Sequence, residues 1–252
     1  MSRLENKTVL LTGAASGIGA AIVAEFVKEG ATMVLMDWDI ENLNALSQKI
    51  PHETGQFITI GGDVSKEEDI RRFIDSGISH FGGIDILINN AGIMDDFCPV
   101  AETPISLWES VLSVNLNSCF YTTRLVVPIM EQAKSGIIIN ISSVAGSHGA
   151  RAGLAYTTSK HAMEGLTKNI AFMYAIKGIR CNAIAPGGVN TNIGKNMHPN
   201  QFGYNRTNSG TGSMPRMGES EEIAKVALFL ATDDSSYING SIITVDGGWT
   251  AY

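Results

Sequence analysis

The run Lys7-Thr8-Val9-Leu10-Leu11-Thr12-Gly13-Ala14-Ala15-Ser16-Gly17-Ile18-Gly19 decides the fold. Its first six residues form a short β-rich stretch. The chain then breaks into glycines, and residues 20–28 read as a helix. Strand, glycine turn and helix in that order are the setting a dinucleotide-binding fingerprint needs. The glycines are spaced G-x-x-x-G-x-G rather than G-x-G-x-x-G, but the same physical duties fit them. Those duties are a tight turn, close backbone approach to the pyrophosphate, and close packing of helix on strand. The helix N-terminus offers free N–H groups and positive dipole to phosphate. A glycine-rich turn with no ligand is the plain alternative.

The pattern continues outward from this unit. Residues 32–36 form a second buried strand that ends at Asp37. An acid about 20 residues past the glycines reaches the adenosine ribose in such folds. A carboxylate there repels a 2′-phosphate and selects NAD over NADP. Ser16, Trp38 and Asp39 add no cation that would reverse the choice. The competing job for Asp37 is capping a helix over 40–50, which Asp39 fits as well or better. Residues 57–60 are a third strand, followed by Gly61-Gly62-Asp63-Val64. Asp63 and Val64 sit at a strand's C-terminal end, where open α/β sheets bind ligands. Ser65 with Glu68 reads as a capping box for the next helix. A fourth strand over 84–88 runs into Asn89-Asn90-Ala91-Gly92, which either lines a cofactor cleft or makes an ordinary turn.

Residues 107–131 carry a long helical pattern that Asn115 and Asn117 interrupt. Asn is mildly unfavourable inside a helix, which points either to a polar task or, more ordinarily, to a surface position. A strand over 136–141 ends in Ser142-Ser143. Another over 179–185 leads into Pro186-Gly187-Gly188-Val189-Asn190-Thr191. From 192 to 214 the chain is polar with little periodicity, which predicts a lid or mobile loop. A helix over 220–231 and a strand over 241–245 close the chain. Alternating strands and helices predict one α/β domain over residues 1–252, with a parallel sheet.

Between the fifth and sixth strands lies Tyr156-Thr157-Thr158-Ser159-Lys160. Apolar residues after it recur at helical spacing, so Tyr156 and Lys160 share a helix face. A free tyrosine has a pKa of about 10. A nearby ammonium favours the phenolate and lowers that value. A tyrosine tuned in this way can exchange a proton with an alcohol or ketone oxygen. Alone, the pair also suits an exposed helix turn.

Composition narrows the classes. The chain has 252 residues, of which 44% are hydrophobic, enough for one well-buried core. A net charge of −7 without a basic run argues against a nucleic-acid partner. The three cysteines are far apart, with no zinc spacing, and the histidines are scattered, so no metal site is assigned. Cys119 and Cys181 have apolar neighbours and read as core thiols. This suits a reducing cytoplasm. No apolar run predicts a signal peptide or a membrane span.

Taken together, Thr12-Gly13-x-x-x-Gly17-x-Gly19, Asp63, Asn89-Asn90-Ala91-Gly92, Asn115, Ser143, Tyr156-x-x-x-Lys160 and Pro186-Gly187 resemble the classical short-chain dehydrogenase/reductase family. The match runs from Thr12 to Gly248. The resemblance implies a Rossmann-like doubly wound fold with about seven parallel strands. It implies a catalytic set of Asn115, Ser143, Tyr156 and Lys160. Tyr156 would be the acid/base, and Lys160 would lower its pKa and hold the nicotinamide ribose. Ser143 would bond the substrate oxygen, and Asn115 would hold a relay water. Gly13, Ser16, Gly17, Ile18 and Gly19 would lie at the pyrophosphate, Asp37 at the ribose, and Asp63 and Val64 at the adenine. Asn90, Ala91, Gly92, Pro186, Gly187 and Val189 would line the cofactor, and Thr191 its carboxamide side.

The implied activity is NAD(H)-dependent interconversion of a secondary alcohol and its ketone. Two alternatives stand beside it: an NADPH-dependent 3-oxoacyl-carrier-protein reductase, and a non-catalytic NAD(H)-binding regulator. Apolar residues on more than one face of the helices over 107–131 and 155–177 add a homotetramer to the expectations.

Overall fold

The computed structural model describes residues 2–50, 56–209, 212 and 214–251. It contains a seven-stranded parallel sheet in the order β3-β2-β1-β4-β5-β6-β7. The strands are β1 Thr8–Thr12, β2 Thr32–Asp37, β3 Gln56–Gly61, β4 Ile86–Asn89, β5 Gly136–Ile141, β6 Ile179–Pro186 and β7 Ile242–Val245. Each lies within two residues of where the apolar runs place it. The sequence order reverses beside β1, whose neighbours are β2 and β4. A crevice opens at such a switch point, outside the carboxyl ends of the strands.

Strand alternation builds two cores. Val9, Leu11, Met33 and Leu35 face helices α1 (Gly17–Lys28), α2 (Ile40–Ser47) and α8 (Ser220–Leu230). Leu10, Val34 and Met36 face α3 (Glu67–Phe81), α5 (Ser118–Ala133) and α6 (Leu154–Tyr174). Both faces of the sheet are therefore covered, which is why its strands read as continuous apolar runs. Cys119 and Cys181 are buried thiols within this packing.

Three local expectations change. Ser65 does not cap α3. Its hydroxyl donates to Asp63 Oδ1 at 2.7 Å, and the helix starts at Glu67. A short side-chain bond to a neighbouring carboxylate has outcompeted the cap. The long helical stretch is a rod in three parts: α4 (Ile105–Leu112), a π-helical turn Ser113–Asn117, and α5. The π turn carries Asn115 at its centre and absorbs the Asn residues that the α period could not.

The polar stretch 192–214 is not structureless, since it contains helix α7 (Gln201–Asn208). No residue of α7 is buried, so apolar periodicity gave no sign of it. Its start is set by Asn200, whose side chain accepts the Gly203 N–H at 3.0 Å. Residues 210, 211 and 213 of that stretch lie outside the described residues.

One polar chain crosses the core beneath the crevice. Thr122 on α5 donates to Asn89 Oδ1 at 2.7 Å, and Asn89 Nδ2 donates to Asn140 Oδ1 at 2.8 Å. Asn140 Nδ2 then donates to Thr167 Oγ1 on α6 at 2.9 Å. Buried amides and hydroxyls are tolerated here because each has a partner.

Candidate active site

A cleft of about 980 Å³ opens at the switch point. One wall is the glycine turn. Gly13 and Gly17 have φ of +66° and +51°, values that L side chains rarely adopt. A Cβ on Gly19 would overlap the Gly13 carbonyl oxygen. Gly19 therefore packs helix to strand and does not itself line the cavity. Ser16, Gly17 and Ile18 do line it. Ser16 precedes α1 without a side-chain cap bond, leaving the first-turn N–H groups as donors for an anion.

Asp37 stands at the end of β2 and is 7% exposed. Its oxygens accept the Ala15 N–H at 2.9 Å and the Asp39 N–H at 3.0 Å. These bonds aim the carboxylate and still leave lone pairs for further donors. The helix-cap alternative belongs to Asp39, whose side chain accepts the Asn42 N–H at 3.0 Å. Asp63, Val64, Asn90, Ala91 and Gly92 continue this wall. The Asn90 amide donates to the Thr12 and Gly13 carbonyls at 3.0 and 2.8 Å, so its side chain ties β4 to the glycine turn.

The facing wall carries Ser143, Tyr156 and Lys160. Tyr156 and Lys160 lie one turn apart on α6 and are 7% and 3% exposed. Ser143 follows β5, its hydroxyl set against the Tyr156 phenol. Ser142 is committed elsewhere, donating to Glu164 Oε1 at 3.1 Å. Pro186, Gly187, Val189 and Thr191 complete the edge beyond β6.

Asn115 is fully buried and stands behind the wall. Its side chain accepts the Ile93 N–H at 2.8 Å and donates to the Ile93 carbonyl and to Ser159 Oγ at 2.9 and 3.2 Å. A Cβ on Gly92 would lie 3.5 Å from Asn115 Oδ1 and 3.8 Å from Lys160 Nζ, so the three segments converge here at ordinary contact distance.

Burial opposes the lowering of the Tyr156 pKa that a neighbouring ammonium would bring. Burial pushes the Tyr156 phenol up to about 12; the Ser143 contact opposes this and the Asp95 charge adds to it. Burial also brings Lys160 down to about 8, with Cys119 opposing. Lys160 Nζ donates to the Ile141 carbonyl at 2.7 Å and lies 5.5 Å from the Tyr156 ring centroid. The ammonium lies over the ring, and burial is the largest influence on the phenol.

Three further features mark the cleft and its border. Trp249, after β7, lies beneath the Arg151 guanidinium, 4.2 Å from the ring centroid. Met214 and Met217 fill the space that a Cβ on Gly188 would need. Asp95 is 1% exposed and reaches the start of α6. Asp246-Gly247-Gly248-Trp249 after the last strand was the available sign for Trp249; nothing local marked the methionines.

Residues 13–250 match a family model described as enoyl-(acyl carrier protein) reductase. The chain belongs to the classical short-chain dehydrogenase/reductase family. Among its relatives in that family is 3beta-hydroxysteroid dehydrogenase 2 of Eggerthella lenta, 45% identical over 99% of this chain and 96% of that one. A 3-oxoacyl-(acyl-carrier-protein) reductase of Thermotoga maritima is 38% identical over 98% of each chain. The crystal structure of levodione reductase superposes with a TM-score of 0.91 at 34% identity, covering 99% of this chain and 100% of that one. The chain is accordingly a dehydrogenase/reductase acting on hydroxyl and keto groups with a nicotinamide cofactor. Among the described residues, no helix of this family member is long and apolar enough to cross a membrane.

Proposed function

We propose that this dehydrogenase interconverts a secondary alcohol and its ketone with NAD(H), and that its substrate is a hydroxysteroid or a comparable fused apolar ring. The observation that carries the reading is the convergence of Ser143, Tyr156 and Lys160 on one wall opposite the glycine turn and Asp37. The glycine cradle and the uncapped first turn of α1 fit a dinucleotide pyrophosphate. Asp37 fits the adenosine ribose hydroxyls. A bound nicotinamide would accept hydride in alcohol oxidation and donate it in ketone reduction.

This chain's residues handle the proton. Tyr156 gives its phenolic proton to the substrate oxygen in reduction and recovers it in oxidation. Ser143 hydrogen-bonds that oxygen and stabilises charge developing on it. Lys160 holds the ribose and supplies positive charge to the site. The Asn115 side chain is committed to Ile93 and Ser159, so its backbone carbonyl is the group that a relay water would use.

Met94, Phe97, Met197, Met214, Met217 and Trp249 supply an apolar, adaptable substrate wall. That wall, with the steroid activity named for the Eggerthella relative, favours a ring system over a short polar alcohol. The stretch 192–214 acts as a lid over cofactor and substrate. We place the enzyme in the cytoplasm as a homotetramer, supported by Phe120, Phe172 and Ile176, which are 49%, 83% and 88% exposed on α5, on α6 and just beyond α6. Sedimentation showing only a species of about 27 kDa would remove the tetramer.

The test is a panel read at the nicotinamide absorbance: a 3β-hydroxysteroid with NAD+, the 3-oxosteroid with NADH, and an acetoacetyl thioester with NADPH. Steroid turnover with NAD(H) is the expected result. Turnover of the thioester with NADPH alone would replace this reading by the carrier-protein reductase. Cofactor binding with no turnover of any alcohol or ketone would point to a regulator.

A further inference from the structure

Helix α6 begins without a cap of its own. Its N-cap is Gly153, which has no side chain to offer, and the first turn carries no acidic residue. The missing acceptor comes from a distant segment. Asp95 Oδ1 accepts the Gly153 N–H at 3.0 Å, and Oδ2 accepts the Tyr156 N–H at 2.9 Å. These are the two donors that a capping box satisfies with two side chains. Here one buried carboxylate satisfies both, and it also meets the positive end of the helix dipole. The fit is tight, since a Cβ on Gly153 would overlap the Asp95 carboxylate.

The next residue ties down the approach to another helix. Asp96 Oδ1 accepts the His198 N–H at 2.8 Å, and its carbonyl accepts the Asn200 N–H at 2.7 Å. Asn200 is the N-cap of α7. Phe97 follows with φ of +56°, its carbonyl packed where a Cβ on Gly203 would be and its ring edge-on to Tyr204 at 5.4 Å. Residues 95 and 96 thus hold the starts of two helices that belong to different parts of the cleft.

We propose that Asp95 is a positioning residue for Tyr156, and that the turn 95–97 transmits the placement of the lid helix α7 to the start of α6. The inference rests on the reading of Tyr156 as the acid/base. The bond to Asp95 is made by the Tyr156 backbone itself, so a shift of the first turn carries the phenol with it. Asparagine at 95 keeps the shape but turns an NH2 toward one of two N–H donors, so one donor loses its acceptor.

Asp95 also acts through its charge, which adds to burial in raising the Tyr156 pKa. Lys160 on its own helix lies 5.5 Å from the ring centroid, and Arg151 from the segment before it lines the same cleft. Cys119 acts from α5 on Lys160. Glu164 lies behind Ser142. None of these changes in an Asp95 variant.

The experiment uses the full chain, with a 3-oxosteroid and NADH as probes. Asp95→Asn should lower kcat by about tenfold or more while KM for NADH stays within about threefold. The phenolate absorbance of wild type minus Tyr156→Phe, titrated without ligand, should have a lower midpoint in the Asp95→Asn background. Asp95→Ala should also lose turnover, and Asp95→Ala/Gly153→Asp should recover part of it, because the cap is then supplied within the helix. Asp96→Ala should speed amide exchange about tenfold in 198–208 and also in 153–160.

Wild-type kcat in Asp95→Asn would overturn the positioning role. So would a joint loss of kcat, NADH binding and melting temperature with the phenolate midpoint unmoved and no rescue. Exchange that quickens only in the lid would overturn the coupling. If Tyr156→Phe retained turnover, the acid/base reading would fail on its own, and the exchange data would still report on the clamp.

Discussion

On the β1–β2 side of the cleft, the cavity is lined by the glycine turn and by carboxylates, among them Asp37, which is aimed by two backbone N–H donors. On the far side of β5 and β6 they are side chains on loops: Met94, Phe97, Met197, Met214, Met217 and Trp249. The first wall is fixed by covalent geometry, because Gly13, Gly17 and Gly19 each hold a place no other residue fits without strain or overlap. The second is fixed only by packing, and thioethers repack readily. A family can therefore keep one cofactor seat and vary its substrates by exchanging the other wall.

The two walls should come apart under mutation, most sharply at the residue between them. Tyr156→Phe removes one hydroxyl from the packed wall and nothing from the cofactor seat. Turnover should fall by about 10³-fold or more, while NADH affinity, read by fluorescence titration, stays near wild type. If both fell together, the walls would not be separable in this way.

Lys160 serves both walls and is held there against its solvation. Its pKa is about 8 in the folded protein against 10.5 for the free group. Between those values the unfolded chain binds the proton that the folded chain refuses, so stability rises with pH across that window. Below pH 8 the whole penalty is present, at most about 3 kcal/mol. Lys160→Met should thus stabilise the ligand-free protein at pH 7, less so by the lost bond to the Ile141 carbonyl. The advantage should shrink as pH rises from 8 toward 10.5. Denaturant melts at several pH values measure this; a less stable variant at pH 7 would refute it. The same variant should bind NADH more weakly.

Asp37→Ala probes the rigid wall alone. Charge-assisted bonds from ribose hydroxyls to a carboxylate contribute about 1.5–3 kcal/mol. The wild type should accordingly prefer NAD(H) by about a hundredfold in kcat/KM, and the variant should lose most of that preference. An unchanged ratio would reduce Asp37 to a brace for the glycine turn.

The smallest effect belongs to the adaptable wall. Met214→Ala with Met217→Ala should raise KM for a steroid about tenfold, since burial of each thioether contact is modest and neighbours can close in. KM for NADH should not move.

The same contrast explains what could be read from the sequence. The strands, Asp37, Ser143 and the Tyr156–Lys160 pair were legible because each depends on local spacing or on a single element's period. Helix α7 was not, because it buries nothing and its start is set by Asn200. Asp95 was not, because it caps a helix 58 residues away along the chain, as its bond to Gly153 records. The burial that raises the Tyr156 pKa was not legible, because motif spacing says nothing about how deeply a side chain is buried.

The polar chain Thr122-Asn89-Asn140-Thr167 has a mechanical meaning as well. Thr167 lies on α6 about three turns beyond Tyr156, near the same azimuth. Its bond to Asn140 on the sheet is a key in a shaft: it fixes the angle of the helix about its long axis. The Tyr156 hydroxyl rides at the end of a lever about 9 Å from that axis, so a twist of about 10° sweeps it through about 1.5 Å. A displacement of that order costs a reaction about a hundredfold in rate. An amide and a hydroxyl buried in the core thus share in setting the angular tolerance of the site, together with the bonds of Lys160 to Ile141 and of Ser142 to Glu164.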